Sequence, residues 1–220
     1  MRQSRKIRNQ VVPTYSFVVD GETEIWYLQM LKRNERQLKI NIEPKLPQRK
    51  SIDEQYKLVI DLSEREYSKV FWIVDLDTII KESRETPKGK KTPLQTLIEL
   101  RGKLQKEYKN VTVIINNPCL EFWLLLHFEK TSKLFDTCDK VENQLKKHLK
   151  DYEKTQKYFT KQDNDIYLKL RPLLKTAISN SSNLGEFDLD EQTKAICEMF
   201  LLFESDEIKN TIKIEKKAYC

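Results

Sequence analysis

Glycine and histidine are both scarce in this chain. Only four of its 220 residues are glycine and seven are proline, which argues against an all-β fold with many tight turns. The two histidines, His127 and His148, are too few and too far apart for a His-rich zinc hydrolase, and we expect His127 to lie in the core. The Walker A, G-x-S-x-G and G-x-G-x-x-G motifs are missing, so a P-loop NTPase, a serine hydrolase and a Rossmann oxidoreductase have no support.

Long apolar runs are also missing. The longest apolar stretch, residues 120–128, contains Glu121 and His127 and is too short to cross a bilayer. Residues 1–10 are basic but lack the apolar segment of a secretory signal. No two of the four cysteines have C-x-x-C or metal-finger spacing, so we expect reduced thiols in a cytoplasmic protein.

The charge is distributed unevenly along the chain. Residues 185–207 contain eight acids and one lysine, so this segment carries −7 and leaves +13 on the rest of a chain whose formal charge is +6. A basic body of this kind attracts phosphate backbones. A lysine-rich surface that serves only solubility remains the alternative.

Apolar runs and helical periodicity alternate over the first 128 residues. They predict strands at 15–19, 38–46, 70–74 and 111–115, and helices at 23–33, 51–67, 94–108 and 119–128. This order predicts an α/β fold with a central parallel sheet and helices on both faces. We expect a polar loop at 81–93, Asn117 as an N-cap with Pro118 opening its helix, and only helices after Lys130, at 139–150, 164–180 and 190–204.

Acidic side chains follow three of the predicted strands. Asp20 follows the first strand, Asp75 and Asp77 follow the third, and Glu121 lies one helical turn beyond the fourth. Ligands of an open parallel sheet bind at the carboxyl ends of its strands. Carboxylates this close together repel one another unless a cation neutralises them, and oxygen ligands suit Mg²⁺ or Mn²⁺. We therefore expect a metal site that activates water and stabilises charge on a phosphate.

Each of these acids also has an ordinary structural interpretation. Asp20 can cap the next helix, whose N-terminal dipole Glu22 and Glu24 would favour. Asp75 and Asp77 can start a loop, and Glu121 can interact with a helix dipole. Their joint occurrence at strand ends favours the metal interpretation.

Four segments resemble the RloB-like family, which belongs to the wider Toprim superfamily of topoisomerases, bacterial primases and OLD nucleases. They are FVVDGETEIWYL at 17–28, VFWIVDLDT at 70–78, NPCLEFWLLLHF at 117–128, and Tyr152-Glu153-Lys154 followed by AISNSS at 177–182. The resemblance covers about residues 14–184. It implies a Toprim-like domain at 14–184, preceded by a basic flexible arm at 1–13 and followed by an acidic-then-basic helical tail at 185–220.

The resemblance implies a Mg²⁺- or Mn²⁺-dependent nuclease. Asp75 and Asp77 would hold the metal, with Glu121 as a further ligand, and Asp20 would be an acid/base or third ligand. Lys154 would neutralise a phosphate, although a plain surface lysine is the alternative. Toprim enzymes have glutamate where this chain has the shorter Asp20, so Glu22 or Glu24 can substitute, or the site can be weak or inactive.

The resemblance also implies partners. Members of the family are often encoded beside an AAA/ABC-type ATPase and are linked to phage defence or restriction, and a homodimer is conceivable. Nucleic acid, DNA or RNA, would contact basic residues of the arm and the loop and possible stacking aromatics, without sequence readout. The basic residues are Arg5, Lys6, Arg8, Lys88, Lys90 and Lys91, and the aromatics, which can equally be core, are Tyr158 and Phe159.

Two alternatives remain open. A strand that ends in Asp-x-Asp also occurs in haloacid-dehalogenase-type phosphatases, but Thr78 is placed differently and no later G-D-x-x-x-D follows. A non-catalytic Toprim module would bind nucleic acid or an ATPase as a sensor. Its docking element would be an acidic helix at 185–207 with an apolar stripe of Ile196, Met199, Phe200 and Phe203, unless this helix packs on its own domain.

Overall fold

The computed structural model describes residues 13–45, 50–191 and 194–212. The five strands are β1 Thr14–Val18, β2 Lys39–Glu43, β3 Lys69–Asp75, β4 Val111–Asn117 and β5 Ile196–Cys197. The helices of the first half are α1 Glu22–Asn34, α2 Ile52–Ser63, α3 Leu76–Glu85, α4 Pro93–Glu107 and α5 Leu120–Leu126. Those of the second half are α6 Cys138–Leu145, α7 Gln156–Phe159, α8 Ile166–Leu170, α9 Leu174–Ser182, α10 Phe200–Glu204 and α11 Asp206–Lys209, with 3-10 turns at Arg171–Leu173 and Leu189–Glu191.

The strands form one sheet in the order β2-β1-β3-β4-β5. The first four strands are parallel, with Phe17 beside Phe71 and Trp72 beside Val113, and β5 pairs antiparallel with the end of β4. Parallel strands need crossover helices, so this order follows from the alternation of apolar runs and helical segments. The predicted α/β class, with its mostly parallel sheet and helical C-terminal region, is confirmed.

Side chains of the buried strand β3 alternate between two hydrophobic cores. Phe71 and Ile73 pack on one face of the sheet with helices that include α1 and α5. Val70, Trp72 and Val74 pack on the other face with α2 and α4. Both faces are covered, which is why the strand reads as a continuous apolar run rather than as an alternating one.

The start of α2 is fixed by a capping box. Ser51 Oγ accepts a hydrogen bond from Glu54 N, and a Glu54 carboxylate oxygen accepts one from Ser51 N at 2.8 Å. Trp72 Nε1 on β3 donates to Gln55 Oε1 at 2.8 Å, and Gln55 Nε2 donates to Lys50 O at 3.0 Å. These bonds hold the first turn of α2 beside the end of β3, where the candidate site lies.

The junction after β4 differs from the prediction. Asn117 is the last residue of β4 rather than an N-cap, because it pairs with Ile196 of β5 and its Nδ2 donates to Lys194 O at 2.9 Å. Helix α5 begins at Leu120, so Pro118 lies before it. The predicted loop at 81–93 is also too long, because α3 continues to Glu85 and only residues 86–92 connect it to α4.

The C-terminal acidic segment is not a single helix. The chain passes from a 3-10 turn through β5 into the short α10, so the helix predicted at 190–204 is wrong. The side chains of Ile196, Met199 and Phe203 are buried in the core of the same chain. They are therefore not an exposed stripe for a partner.

Three smaller points complete the fold. The predicted core position of His127 is confirmed: its Nδ1 lies 3.0 Å from Trp123 O, and burial lowers its pKa to about 4. Tyr158 and Phe159 are also buried in the core, so they do not form a stacking surface.

Among the described residues, no helix is both long and apolar enough for a membrane crossing.

Candidate active site

A pocket of about 680 Å³ opens at the carboxyl ends of β1 and β3, between the first turns of α1, α2 and α3. Most of its charged groups are acidic, and they come from separate parts of the sequence. The carboxylate side chains that line it are those of Asp20, Glu22, Glu24, Asp75, Asp77 and Glu82, and the lysines are Lys50 and Lys154. Of the acids predicted as site residues, Asp20, Asp75 and Asp77 line this pocket and Glu121 does not.

Asp75 is anchored at the floor of this pocket. Its Oδ2 accepts a hydrogen bond from Leu120 N at 3.0 Å, and its Oδ1 accepts one from Asn116 Nδ2 at 3.2 Å. The backbone around it is also tied down, because Leu76 N donates to Pro118 O at 3.0 Å. The end of β3 and the junction between β4 and α5 are thus joined through one carboxylate.

Glu24 is the carboxylate that meets Asp75. The two carboxyl groups share a hydrogen bond, and Glu24 is buried. Burial raises the pKa of Asp75 well above its usual value, and the negative charges of Glu24 and Glu121 raise it further. Burial likewise raises the pKa of Glu24. Both carboxyl groups are therefore harder to ionise than usual, and a bound cation would favour their charged forms.

The close approach of Glu24 depends on Gly21. A Cβ atom at Gly21 would collide with the Glu24 carboxylate, so only glycine leaves room for it. Gly21 is also the residue that precedes α1. The Asp-Gly-Glu-Thr-Glu segment thus turns Glu24, in the first helical turn, toward the end of β3.

The oxygen atoms in this pocket fit a hard divalent cation. Asp75 and Glu24 are hydrogen-bonded to each other and both have raised pKa values, and a cation between them would favour the charged form of both. Beside them, Asn116 Oδ1 is buried and has no hydrogen-bond partner among the described residues. Carboxylate and amide oxygens of this kind are the ligands that Mg²⁺ and Mn²⁺ prefer.

Glu121 is fully buried behind the pocket and holds Lys154. Its Oε1 lies 2.9 Å from Lys154 Nζ and accepts hydrogen bonds from Thr23 Oγ1 at 3.3 Å and Tyr152 OH at 3.4 Å. Burial alone would lower the pKa of Lys154, but the carboxylates of Glu121 and Glu142 outweigh it and raise the pKa above its usual value. The Tyr152-x-Lys154 element is therefore tied to Glu121, and Lys154 stays a cation.

The other predicted site acids lie nearer to solvent. Asp77 Oδ1 accepts a hydrogen bond from Thr78 N at 2.6 Å, and Asp77 N donates to Pro118 O at 3.1 Å. Asp20 and Glu22 are exposed at the rim, where Lys50 N lies 3.5 Å from Asp20 Oδ1. The inner position beside Asp75 thus belongs to Glu24, which sequence reasoning kept only as a substitute for Asp20.

Two further hollows adjoin the acidic pocket. The first, about 270 Å³, shares Asp77 and Thr78 with it, and the second, about 430 Å³, shares Leu134 and Phe135 with the first. Basic side chains line both hollows, beside Asp77 and Asp136 in the first and Asp136 in the second. The basic residues are Lys81, Arg84, Lys133, Lys140 and Lys147. Sequence reasoning missed these residues because they come from three separated segments that only the fold brings together.

The basic residues predicted from sequence lie elsewhere. Arg5, Lys6 and Arg8 are outside the described residues. Lys88, Lys90 and Lys91 are exposed in the connection between α3 and α4, and Lys91 forms an ion pair with Glu99.

Two cysteines lie beside the site and are joined. Cys119 and Cys138 form a disulfide bond with a Cα–Cα distance of 6.0 Å, so the expectation of reduced thiols is wrong for this pair. They are separated by 19 positions in the sequence, and the packing of α6 against α5 brings them together. Among the described cysteines, Cys197 is buried and outside the disulfide.

A protein-family model described as RloB-like protein matches residues 15–205. The match extends beyond the predicted boundary at residue 184, into the segment that contains β5. No curated protein and no solved structure matches the chain.

Proposed function

The chain belongs to the RloB-like protein family, and on this premise we propose that it is a metal-dependent nuclease of Toprim type. It would hydrolyse phosphodiester bonds of DNA or RNA with Mg²⁺ or Mn²⁺. One observation carries the proposal: the carboxyl groups of the buried Glu24 and the half-buried Asp75 are hydrogen-bonded to each other in a pocket that Asp77 also lines. Without a cation, a carboxyl pair of this kind lowers the stability of the folded state. A functional role of the site explains why the pair is present.

Glu24, Asp75 and Asp77, which all line the pocket, would hold the cation. When bound, the cation would supply an activated water and stabilise charge on the phosphate. Asp20 is exposed at the rim, so its carboxylate is able to accept a proton from a water molecule in the pocket. These roles differ from those predicted from the sequence. Glu24 becomes a metal ligand, and Asp20 lies at the rim of the pocket.

Lys154 would stabilise a phosphate within the pocket. Its side chain is 43% exposed, lines the pocket and is held by Glu121 at 2.9 Å. Because its pKa is raised, it acts as a fixed cation rather than as a base. Glu121 is then a positioning residue for Lys154.

The substrate would run from the acidic pocket through the first adjoining hollow to the second, where three lysines outnumber one acid. The hollows are contiguous through shared lining residues, and their basic side chains suit a phosphate backbone without sequence readout. Family membership alone supports the further proposal that the protein acts in phage defence beside an AAA/ABC-type ATPase.

A cleavage assay tests the proposal. Supercoiled DNA and a structured RNA are incubated with the full chain and Mn²⁺ or Mg²⁺, beside p-nitrophenyl phosphate as a monoester substrate. We expect the wild type to cleave one of the nucleic acids and EDTA to abolish cleavage. Asp75→Asn should lower the rate at least about 100-fold, as loss of one preorganised electrostatic group does in other enzymes.

The matched control is Asp61→Asn. Asp61 is an exposed acid on α2 that pairs with Arg65 and does not line the pocket, so this variant should cleave at the wild-type rate. Hydrolysis of the monoester without nucleic-acid cleavage would overturn the proposal in favour of a phosphatase. Binding without cleavage under all metal conditions would favour the non-catalytic module.

A further inference from the structure

A second group of ligand atoms lies beside the acidic pocket, and its chemistry is different. One ligand atom each from Cys119, Glu121 and Cys138 lies within 4.8 Å of the others. Cys119 and Glu121 are buried at the start of α5, and Cys138 is the first residue of α6 and lines the acidic pocket. Two sulfurs and one carboxylate are a ligand set for a thiophilic cation rather than for Mg²⁺.

The carboxylate of this group is already oriented. Lys154, Thr23 and Tyr152 all contact Glu121 Oε1, whereas Cys138 Sγ lies 3.6 Å from Oε2. Outer partners of this kind fix the orientation of a metal ligand. The second oxygen of Glu121 therefore faces the Cys138 sulfur.

We propose that the reduced protein binds a thiophilic divalent cation of the Zn²⁺ class through Cys119 Sγ, Cys138 Sγ and Glu121 Oε2. Three protein ligands leave a fourth, tetrahedral position for water. The divalent cation would offset the two thiolates, and the Lys154 ammonium lies 2.9 Å from the Glu121 carboxylate.

The disulfide and the metal site are alternative states of the same two sulfurs. Reduction of the Cys119–Cys138 bond by a phosphine takes two electrons from phosphorus and two protons from water, and it yields two thiols and the phosphine oxide; a dithiol reductant supplies both the electrons and the protons and becomes a disulfide itself. Cation binding then releases those two protons to solvent as the thiolates form. The oxidised chain cannot bind the cation through sulfur, so occupancy of the site depends on the redox state.

A Co²⁺ titration tests this site. The full chain is reduced with a phosphine, kept free of oxygen and titrated with Co²⁺, whose bonds to thiolates give a near-ultraviolet charge-transfer band. We expect this band in the reduced wild type, its displacement by Zn²⁺, and its absence in the unreduced wild type. The unreduced sample has the same sequence and needs no substitution to fold.

Cysteine variants identify the thiolates that give this band. Cys119→Ser and Cys138→Ser should each lose much of its intensity and weaken Zn²⁺ binding at least about tenfold. Cys197→Ala removes a buried thiol outside the cluster and should keep the band. Far-ultraviolet circular dichroism checks that each variant is folded.

Two results would overturn the proposal: no thiolate band in the reduced wild type, or a band of equal strength in both serine variants. Neither result depends on nuclease activity, because Co²⁺ at the oxygen ligands of the acidic pocket gives no thiolate band. Failure of the cleavage assay would likewise leave this titration unaffected.

Discussion

At the scale of single residues, the candidate site has a stability cost. Asp75 and Glu24 are held close together with raised pKa values, and burial is the largest cause for both. A carboxyl group whose pKa is raised by folding stabilises the folded state while it is protonated. That contribution is lost as the pH rises through the folded-state pKa.

Asp75→Asn should therefore stabilise the metal-free protein near neutral pH. We expect Tm to rise by about 2–4 °C, the shift that about 1 kcal/mol produces in a chain of this size. The gain should shrink as the pH falls and Asp75 becomes protonated. Mn²⁺ should raise Tm of the wild type only, because the variant lacks a ligand.

Thermal denaturation in EDTA and in Mn²⁺ at several pH values measures both effects. If the variant were less stable than the wild type at neutral pH in EDTA, the Glu24–Asp75 carboxyl pair would not be destabilising the metal-free fold.

Gly21→Ala should weaken Mn²⁺ binding without a large loss of fold. The added Cβ would displace the Glu24 carboxylate from its place beside Asp75, and we expect a rise in Kd of about tenfold or more. Gly102→Ala is the matched control. A Cβ there meets no atom within 4 Å, so this change should stabilise α4 by about 1 kcal/mol and leave Kd unchanged. Equal Kd values for the two variants would show that Glu24 is not a ligand.

Sequence patterns identified Asp75 and Asp77 because acids directly after a buried strand reach the carboxyl edge of a parallel sheet. They could not rank Glu24 above Asp20, since that choice depends on the direction in which the first turn of α1 leaves Gly21. The sequence did not predict the Cys119–Cys138 contact either. It depends on how α6 packs on α5, which no spacing along the chain encodes.

At the scale of elements, the acidic C-terminal segment has a structural role. Glu198, fully buried, accepts hydrogen bonds from Ile115 N at 2.8 Å and Phe187 N at 2.7 Å, and from Arg101 Nη2 at 2.8 Å. It lies directly after β5 and holds this short strand against β4. The sequence predicted a helix here that either docks a partner or packs on its own domain, and the structure shows that one glutamate of the segment is an internal partner of a buried arginine.

Glu198→Ala should destabilise the protein by about 3–5 kcal/mol. It leaves the buried Arg101 guanidinium without its nearest carboxylate and two backbone donors without an acceptor. Glu186→Ala is the matched control. Glu186 is 58% exposed and lies 3.4 Å from Arg101, so its substitution should lower the free energy of unfolding by less than about 1 kcal/mol. Urea denaturation measures both free energies of unfolding. Similar small losses in both variants would contradict an integral role for the segment.

Sequence predicted the regular elements well where local signals and burial agree. The run of apolar residues in β3 and the Ser51–Glu54 capping box of α2 are examples. It failed where tertiary pairing overrides local preference. Asn117 followed by proline is a good helix start, yet pairing with β5 keeps this asparagine in the strand.

At the scale of the whole molecule, the basic hollows and the acidic pocket lie along one path. Nucleic-acid affinity should therefore fall steeply with salt. For a single strand, the slope of log K against log salt should become shallower by about 0.7 for each phosphate contact removed. We expect this change for Lys133→Gln/Lys147→Gln. The matched pair Lys88→Gln/Lys90→Gln, in the exposed connection after α3, should leave the slope unchanged.

Fluorescence anisotropy over a range of salt concentrations measures these slopes. A shallower slope only in the Lys88/Lys90 variant would move the substrate path to that connection, as the sequence alone suggested.

The proposed cation site consists of the carboxylates of Glu24, Asp75 and Asp77. Calorimetric titration of Mn²⁺ into the metal-free wild type and an Asp75→Asn/Asp77→Asn variant tests it most directly. We predict binding by the wild type that strengthens as the pH rises and the Glu24–Asp75 pair ionises, and none by the variant. Absence of binding by the wild type, or equal binding by both proteins, would contradict the account.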